Sequence, residues 1–167
     1  KLRVEEMLIE SGLNFTILQP AIYMQNILGN RESIVNEGLY RVPYPVDTRL
    51  SLVDLEDLAE AAAVVLKDPG HDRAIYELAG QEAPTQTEIA SSIAGATGCQ
   101  VIAEQVSIDI WRQQAEASGL GEYQIEALIK MFNYYSLFGL QGNGNLLRWL
   151  LGRSPATLAM FVAREFG

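Results

Sequence analysis

The sequence is short of the residues on which several kinds of chemistry depend. It has one cysteine, Cys99, and one histidine, His71, among 167 residues. A single cysteine excludes an internal disulfide and a cysteine-based zinc site. A lone histidine with no carboxylate at ligand spacing argues against any other metal site. We therefore expect no metal, with His71 in an exposed turn and Cys99 buried as a small apolar residue.

The chain also has no excess of basic residues over acidic ones and no long apolar runs. Its 12 Lys and Arg residues against 21 Asp and Glu residues give a formal net charge of −9, so no basic stripe is available for nonspecific nucleic-acid binding. No apolar run approaches the roughly 18–20 residues of a membrane span, and no signal peptide is visible. Apolar residues make up 49% of the chain, as in ordinary globular domains. We expect a soluble, cytoplasmic protein.

The first twenty residues have the pattern of one helix-to-strand step of a parallel sheet. Apolar residues recur at helical spacing before Gly12, which suits a left-handed helix end because it has no side chain. A short β run at 15–18 follows, and Pro20 closes it. The strand that should precede this helix is missing from the sequence. We therefore expect a buried strand with one edge left open by this sequence. We expect that edge to pair with a missing N-terminal half or with a second copy of the chain.

Local patterns predict the remaining elements. Strands are expected at 39–42, 49–53, 74–79 and 101–106, and helices at 55–66, 85–97, 108–117, 122–138, 146–151 and 156–165. Asp54 is expected to cap the helix at 55–66, with Asp57 complementing its dipole and Leu55, Leu58 and Leu66 on its buried face. Thr85 and Glu88 have the spacing of a capping box. The chain is thus α/β over 1–106 and helical over 107–167.

One stretch carries a family resemblance. The N-terminal pattern is Lys-x-x-Val-Glu-Glu-x-Leu-x-x-Ser-Gly-Leu-x-Phe-Thr-Ile-Leu-x-Pro, followed by Tyr-Met-x-Asn at 23–26. It resembles the NmrA-like branch of the atypical short-chain dehydrogenases, as do 54–66 and 151–161. The resemblance implies that 1–106 is the C-terminal half of a Rossmann-type NAD(P)-binding sheet and that 107–167 is a helical substrate-side lobe. The phosphate-binding pattern G-x-x-G-x-x-G does not occur in the sequence, so NADP or NAD would be held largely by residues upstream of Lys1.

The resemblance also implies roles for particular residues. Lys1 falls where the family has a lysine beside the nicotinamide ribose, and a solvated helix lysine is the alternative. The loop at the end of the first strand would face the nicotinamide: Gln19, Pro20, Ala21, Ile22 and Tyr23. The substrate pocket would include Tyr23, Met24, Asn26 and Trp111. Two alternatives stay open: the Gln19 amide pairs with local backbone, and Tyr23, Met24 and Trp111 serve ordinary packing.

Three functions agree with this resemblance. The first is an NAD(P)H-dependent reductase of a quinone or small carbonyl compound, which makes the intact parent an enzyme and this chain alone inactive. The second is a non-catalytic redox sensor that binds dinucleotide and acts through its helical lobe on a protein partner. The third is an epimerase-type protein acting on a nucleotide sugar. The residue four positions before Lys1 would help to discriminate between them, because a tyrosine there favours reductase or epimerase chemistry.

Overall fold

Strands and helices alternate through the first two thirds of the chain, and the last third is helical. The computed structural model describes residues 2–167. Its strands are β1 (Thr16–Pro20), β2 (Ile22–Tyr23), β3 (Leu39–Val42), β4 (Leu52–Val53), β5 (Ala74–Leu78) and β6 (Ile102–Gln105). Its α-helices are α1 (Leu2–Glu10), α2 (Arg31–Glu37), α3 (Leu55–Lys67), α4 (Gln86–Thr97), α5 (Ile108–Ala117), α6 (Glu122–Phe138), α7 (Asn145–Leu151) and α8 (Leu158–Phe166). A 3-10 helix, Met24–Asn30, precedes α2.

The strands form three parallel pairs between segments that are distant in sequence. β1 pairs with β5, β2 with β4, and β3 with β6. The predicted strand at 39–42 is confirmed, whereas the one expected at 49–53 is limited to β4, with Leu50 forming a single bridge to Leu140. Within residues 2–167 no strand pairs with the other edge of β1, so that edge is open. The strand is only half-buried, with Ile17 its one buried residue, so the prediction of a buried strand is wrong.

The apolar face predicted for the first helix exists but is not buried. Leu2, Val4 and Met7 of α1 are 70%, 69% and 63% exposed, and no residue of α1 is buried. Gly12 follows the helix at φ 74°, as its sequence position indicated. The described residues therefore leave both the open edge of β1 and the apolar side of α1 uncovered.

Three hydrophobic clusters join the helical end of the chain to the α/β part. In the first, Ile93 of α4 packs with Phe161 of α8. In the second, Ala61 of α3 packs with Leu147 of α7. In the third, Phe132 of α6 packs with Leu50. Helices α6, α7 and α8 thus all lie against the part of the chain before residue 106, and α5 and α6 also pack on each other.

Three expectations about burial are wrong. Helix α3 is capped by Asp54 as predicted, but it turns Asp57 and Ala61 inward and leaves Leu55 and Leu66 exposed. Cys99 is exposed because it lies just after the end of α4, where no element covers it. His71 is buried, and its Nδ1 lies 2.8 Å from the Tyr76 hydroxyl.

Several helix predictions are confirmed at their ends. The capping box of α4 forms with both bonds: Glu88 N donates to Thr85 Oγ1 and Thr85 N donates to the Glu88 carboxylate. Helices α5 and α6 have the predicted bounds. Among residues 2–167, no helix combines the length and the apolar character that crossing a bilayer requires.

Candidate functional site

A cavity of about 840 Å³ lies where three strands end. Pro20 ends β1, Val42 ends β3, and Val106 follows β6, and all three line the cavity. Helices α2, α5 and α6 and the 3-10 helix supply further parts of its wall. In open parallel sheets, ligands bind beyond the carboxyl ends of the strands, and this volume is within the usual range for a small-molecule site.

The loop after β1 forms one side of the cavity. Ala21 N donates to Leu78 O at 2.8 Å, and Ile22 N donates to Ser51 O at 3.3 Å. These bonds fix the loop to its neighbouring strands, because backbone donors near a sheet are paired wherever possible. Four of the predicted cofactor-binding residues (Pro20, Ala21, Ile22 and Tyr23) line the cavity, together with the predicted pocket residues Asn26 and Trp111.

Other predicted site residues are not brought to this cavity. Met24 begins the 3-10 helix with its side chain in the core, 2% exposed, and it does not line this cavity. The Gln19 side chain donates from Nε2 to Glu5 Oε2 of α1 at 2.9 Å, so its amide pairs with a side chain and not with local backbone, and it does not line the cavity. Lys1 lies outside the described residues.

Another part of the cavity lining is an aromatic wall formed by Tyr44, Trp111, Phe132 and Tyr135. The Trp111 and Phe132 rings meet edge-on with centroids 4.8 Å apart. Tyr44 lies 5.9 Å from Phe132 and 5.8 Å from Tyr135, the latter edge-on at 89°. Such tilted and edge-to-face pairs are favourable beyond the area they bury. The wall offers flat apolar surface to a ring-shaped ligand.

Sequence reasoning missed Tyr44 as part of a site. The resemblance places Phe132 and Tyr135 in the helical substrate-side lobe 107–167 without singling them out. Pro43 and Pro45 make the stretch around Tyr44 extended backbone. The usable signal was a tyrosine between two prolines directly after a predicted parallel strand. Such a position is rigid and lies at the ligand-binding edge of a sheet.

A buried polar chain supports the cavity floor. The Tyr40 hydroxyl donates to Gln86 Oε1 at 3.2 Å, and Gln86 Nε2 donates to Thr48 O at 3.1 Å. Burial raises the pKa of Tyr40, of Tyr44 and of Tyr135, because the phenolate form loses solvation in apolar surroundings. All three phenols therefore keep their protons at neutral pH and can act only as neutral hydrogen-bonding groups.

Two buried carboxylates anchor the end of the chain behind the cavity. Asp54 Oδ1 accepts a hydrogen bond from Gln25 Nε2 at 2.7 Å. Asp54 Oδ2 lies 2.9 Å from Arg164 Nη2. The angles of this second contact do not suit a hydrogen bond, so it is an ion pair only. Asp57 accepts from Ala156 N at 2.6 Å and pairs with Arg153 at 2.7 Å. The interpretation of Asp57 as a helix-dipole residue is therefore incomplete, because its carboxylate holds a distant loop. In the part of the chain that the structure describes, no cluster of His, Cys, Asp and Glu could hold a metal ion.

The parallel strand pairs, with helices between them, are typical of a Rossmann-type α/β protein, in which ligands bind beyond the carboxyl ends of the strands. The family model described as the NmrA-like family matches residues 1–159, so the chain belongs to that family. The resemblance stated from the sequence and the predicted fold class are both confirmed.

Relatives with assigned activities match nearly all of this chain. An NAD(P)H azoreductase from Xenophilus azovorans is 26% identical over 98% of this chain and 58% of its own length. Quinone oxidoreductase 2 from Escherichia coli is 28% identical over 99% of this chain and 57% of its own length. The chain thus spans somewhat more than half of these relatives.

Solved structures agree with this assignment. The crystal structure of an NADPH-dependent quinone oxidoreductase from Escherichia coli superposes with a TM-score of 0.87 at 28% identity, over 99% of this chain and 60% of that one. The same oxidoreductase in complex with NADPH gives a TM-score of 0.86.

Proposed function

We propose that this chain is the substrate-side portion of an NAD(P)H-dependent oxidoreductase that reduces a quinone or a small carbonyl compound. The observation that carries the proposal is the cavity itself, which is lined both by residues 20–23 and by the aromatic wall. A flat ring can stack on this wall, since aromatic side chains stack well on planar ligands. The azoreductase and quinone oxidoreductase activities of the relatives support it.

The cofactor would be NADP or NAD, with its nicotinamide end against the loop 20–23. The residues present fit this end of a dinucleotide, because the loop lies beyond β1 and its backbone is already fixed by neighbouring strands. When bound, the cofactor supplies a hydride. This chain would orient the acceptor and exclude water, while the pyrophosphate would be held by residues outside this chain. The contact of Lys1 with the ribose stays a prediction.

The test uses the natively expressed protein with NADPH or NADH and 1,4-naphthoquinone. We expect the absorbance of the reduced nicotinamide to fall only when the quinone is present, and hydroquinone to form in equal amount. Dinucleotide binding in calorimetry without turnover of quinones, aldehydes or ketones would contradict the enzymatic proposal. That result would favour the redox-sensor alternative.

The open edge of β1 supports a proposal about partners. Unpaired strand edges attract other strands, and the exposed apolar side of α1 lies on the element directly before β1. We propose that a further polypeptide segment, either an N-terminal half or a second copy, pairs there. Light scattering on isolated 1–167 should show association, and a monodisperse, cooperatively unfolding monomer would contradict this proposal.

A further inference from the structure

Tyr44 is held in one orientation within the cavity. It lies between Pro43 and Pro45, whose rings fix their own backbone φ angles and restrict the residue before each of them. Phe132 and Tyr135 flank the Tyr44 ring at 5.9 Å and 5.8 Å. The position of the phenol oxygen is therefore set before any ligand arrives, and little freedom is lost on binding.

The Tyr44 hydroxyl has no partner among the described residues. The neighbouring Tyr40 hydroxyl donates to Gln86, whereas no side-chain hydrogen bond within 2–167 involves Tyr44. In the same range, the only fully buried side-chain polar atom without a hydrogen bond is Asp54 Oδ2. The Tyr44 hydroxyl therefore keeps some solvent-accessible surface, and a ligand can reach it through the cavity that this residue lines.

Tyr135 is a weaker candidate for the same role. Its hydroxyl also lacks a hydrogen-bond partner within 2–167, but the residue borders a second groove of about 430 Å³ with Arg49 and Ser136. Of these two cavities, Tyr44 borders only the one of about 840 Å³. Because burial raises the pKa of Tyr44, its oxygen keeps the proton that a hydrogen-bond donor needs.

We infer that Tyr44 donates the hydrogen bond that receives the reducible carbonyl oxygen of the substrate. This inference rests on the proposed function and deepens it, since it makes Tyr44 a residue that selects substrates by their oxygen. A planar ring can pack against the aromatic wall without any oxygen. Only a ring with a carbonyl in reach of Tyr44 satisfies the donor as well.

The reaction balances without consuming Tyr44. A hydride adds two electrons and one hydrogen to the quinone, so that a carbonyl oxygen becomes negatively charged. A proton from water then completes the hydroquinone, and the oxidised nicotinamide remains. The Tyr44 hydrogen bond strengthens as charge develops on the oxygen, so it lowers the barrier more than it tightens ground-state binding.

Tyr44→Phe in the natively expressed protein tests the inference. With NADPH and 1,4-naphthoquinone, we expect kcat to fall about 100- to 1000-fold while KM changes less, as for loss of one preorganised donor. The matched control is Tyr134→Phe, which removes a phenol oxygen from the exposed side of α6, away from the cavity lining. Its kcat and KM should stay at the native values.

The outcomes separate the inference from the proposed function. Absence of turnover by the native protein would overturn the proposed function. Native turnover that Tyr44→Phe retains in full, or a change in KM alone, would overturn only the role of Tyr44. If Tyr44→Phe melts at a lower temperature, 3-fluorotyrosine incorporated at position 44 is the second test. It keeps the ring and makes the hydroxyl a stronger donor, so kcat should rise, and an unchanged kcat would overturn the inference.

Discussion

Replacing Asp57 should loosen the segment that leads into α8. Its carboxylate is 2% exposed, accepts from Ala156 N at 2.6 Å and pairs with Arg153 at 2.7 Å. Pro155, in the same segment, is buried, and α8 places Phe161 in the main core cluster. One side chain of α3 therefore fixes where the final helix begins to pack.

The cost of Asp57→Ala can be separated into two parts. Losing the acceptor leaves the Ala156 N–H unpaired, which costs about 1–3 kcal/mol when such a group is buried. The pair with Arg153 contributes at most about 1 kcal/mol, because that guanidinium is half exposed and also pairs with Glu60. Ala156 is itself only half-buried, so we expect a total loss of about 1–3 kcal/mol.

Asp57→Asn separates the hydrogen bond from the charge. Its amide oxygen can still accept from Ala156 N, so the free energy of unfolding should fall by less than about 1 kcal/mol. Urea denaturation followed by circular dichroism measures both variants, and trypsin cleavage after Arg153 should quicken in Asp57→Ala. Equal losses for Ala and Asn would refute the reasoning, as would no loss for Ala.

Three further substitutions test the backbone and packing of the fold. Gly139→Ala should lower the free energy of unfolding by about 1–3 kcal/mol, because its backbone angles, φ 64° and ψ −163°, are open almost only to glycine and a Cβ would lie 2.8 Å from Arg49 O. Gly95→Ala, inside α4 with open space around it, should raise the free energy of unfolding by about 0.5–1 kcal/mol. Thermal or urea unfolding measures both variants, and equal effects would contradict this account. Tyr40→Phe removes the donor to Gln86 Oε1 in a buried site and should lower the free energy of unfolding by about 1–3 kcal/mol. An unchanged urea midpoint would contradict this prediction and would show that a water molecule replaces the Tyr40 donor.

The sequence alone determined the local structure and the family. The capping box of Thr85 and Glu88 and the cap at Asp54 were predictable because each depends on residues within one helical turn. The bounds of α5 and α6 followed from apolar spacing in the same way. The pattern over residues 1–26 was enough to indicate the NmrA-like family, and with it a parallel sheet whose strand ends frame a ligand site.

The tertiary structure alone decided which side of each element is buried and which residues share the cavity. Asp57 and not Leu66 faces inward on α3 because Arg153 and Ala156, almost a hundred residues later, lie against it. Met24 points into the core and not into the cavity because α4 and α8 pack over it. Tyr44, which follows β3, meets Phe132 of α6 only in the folded chain, since no local pattern encodes contacts between segments so far apart in the sequence.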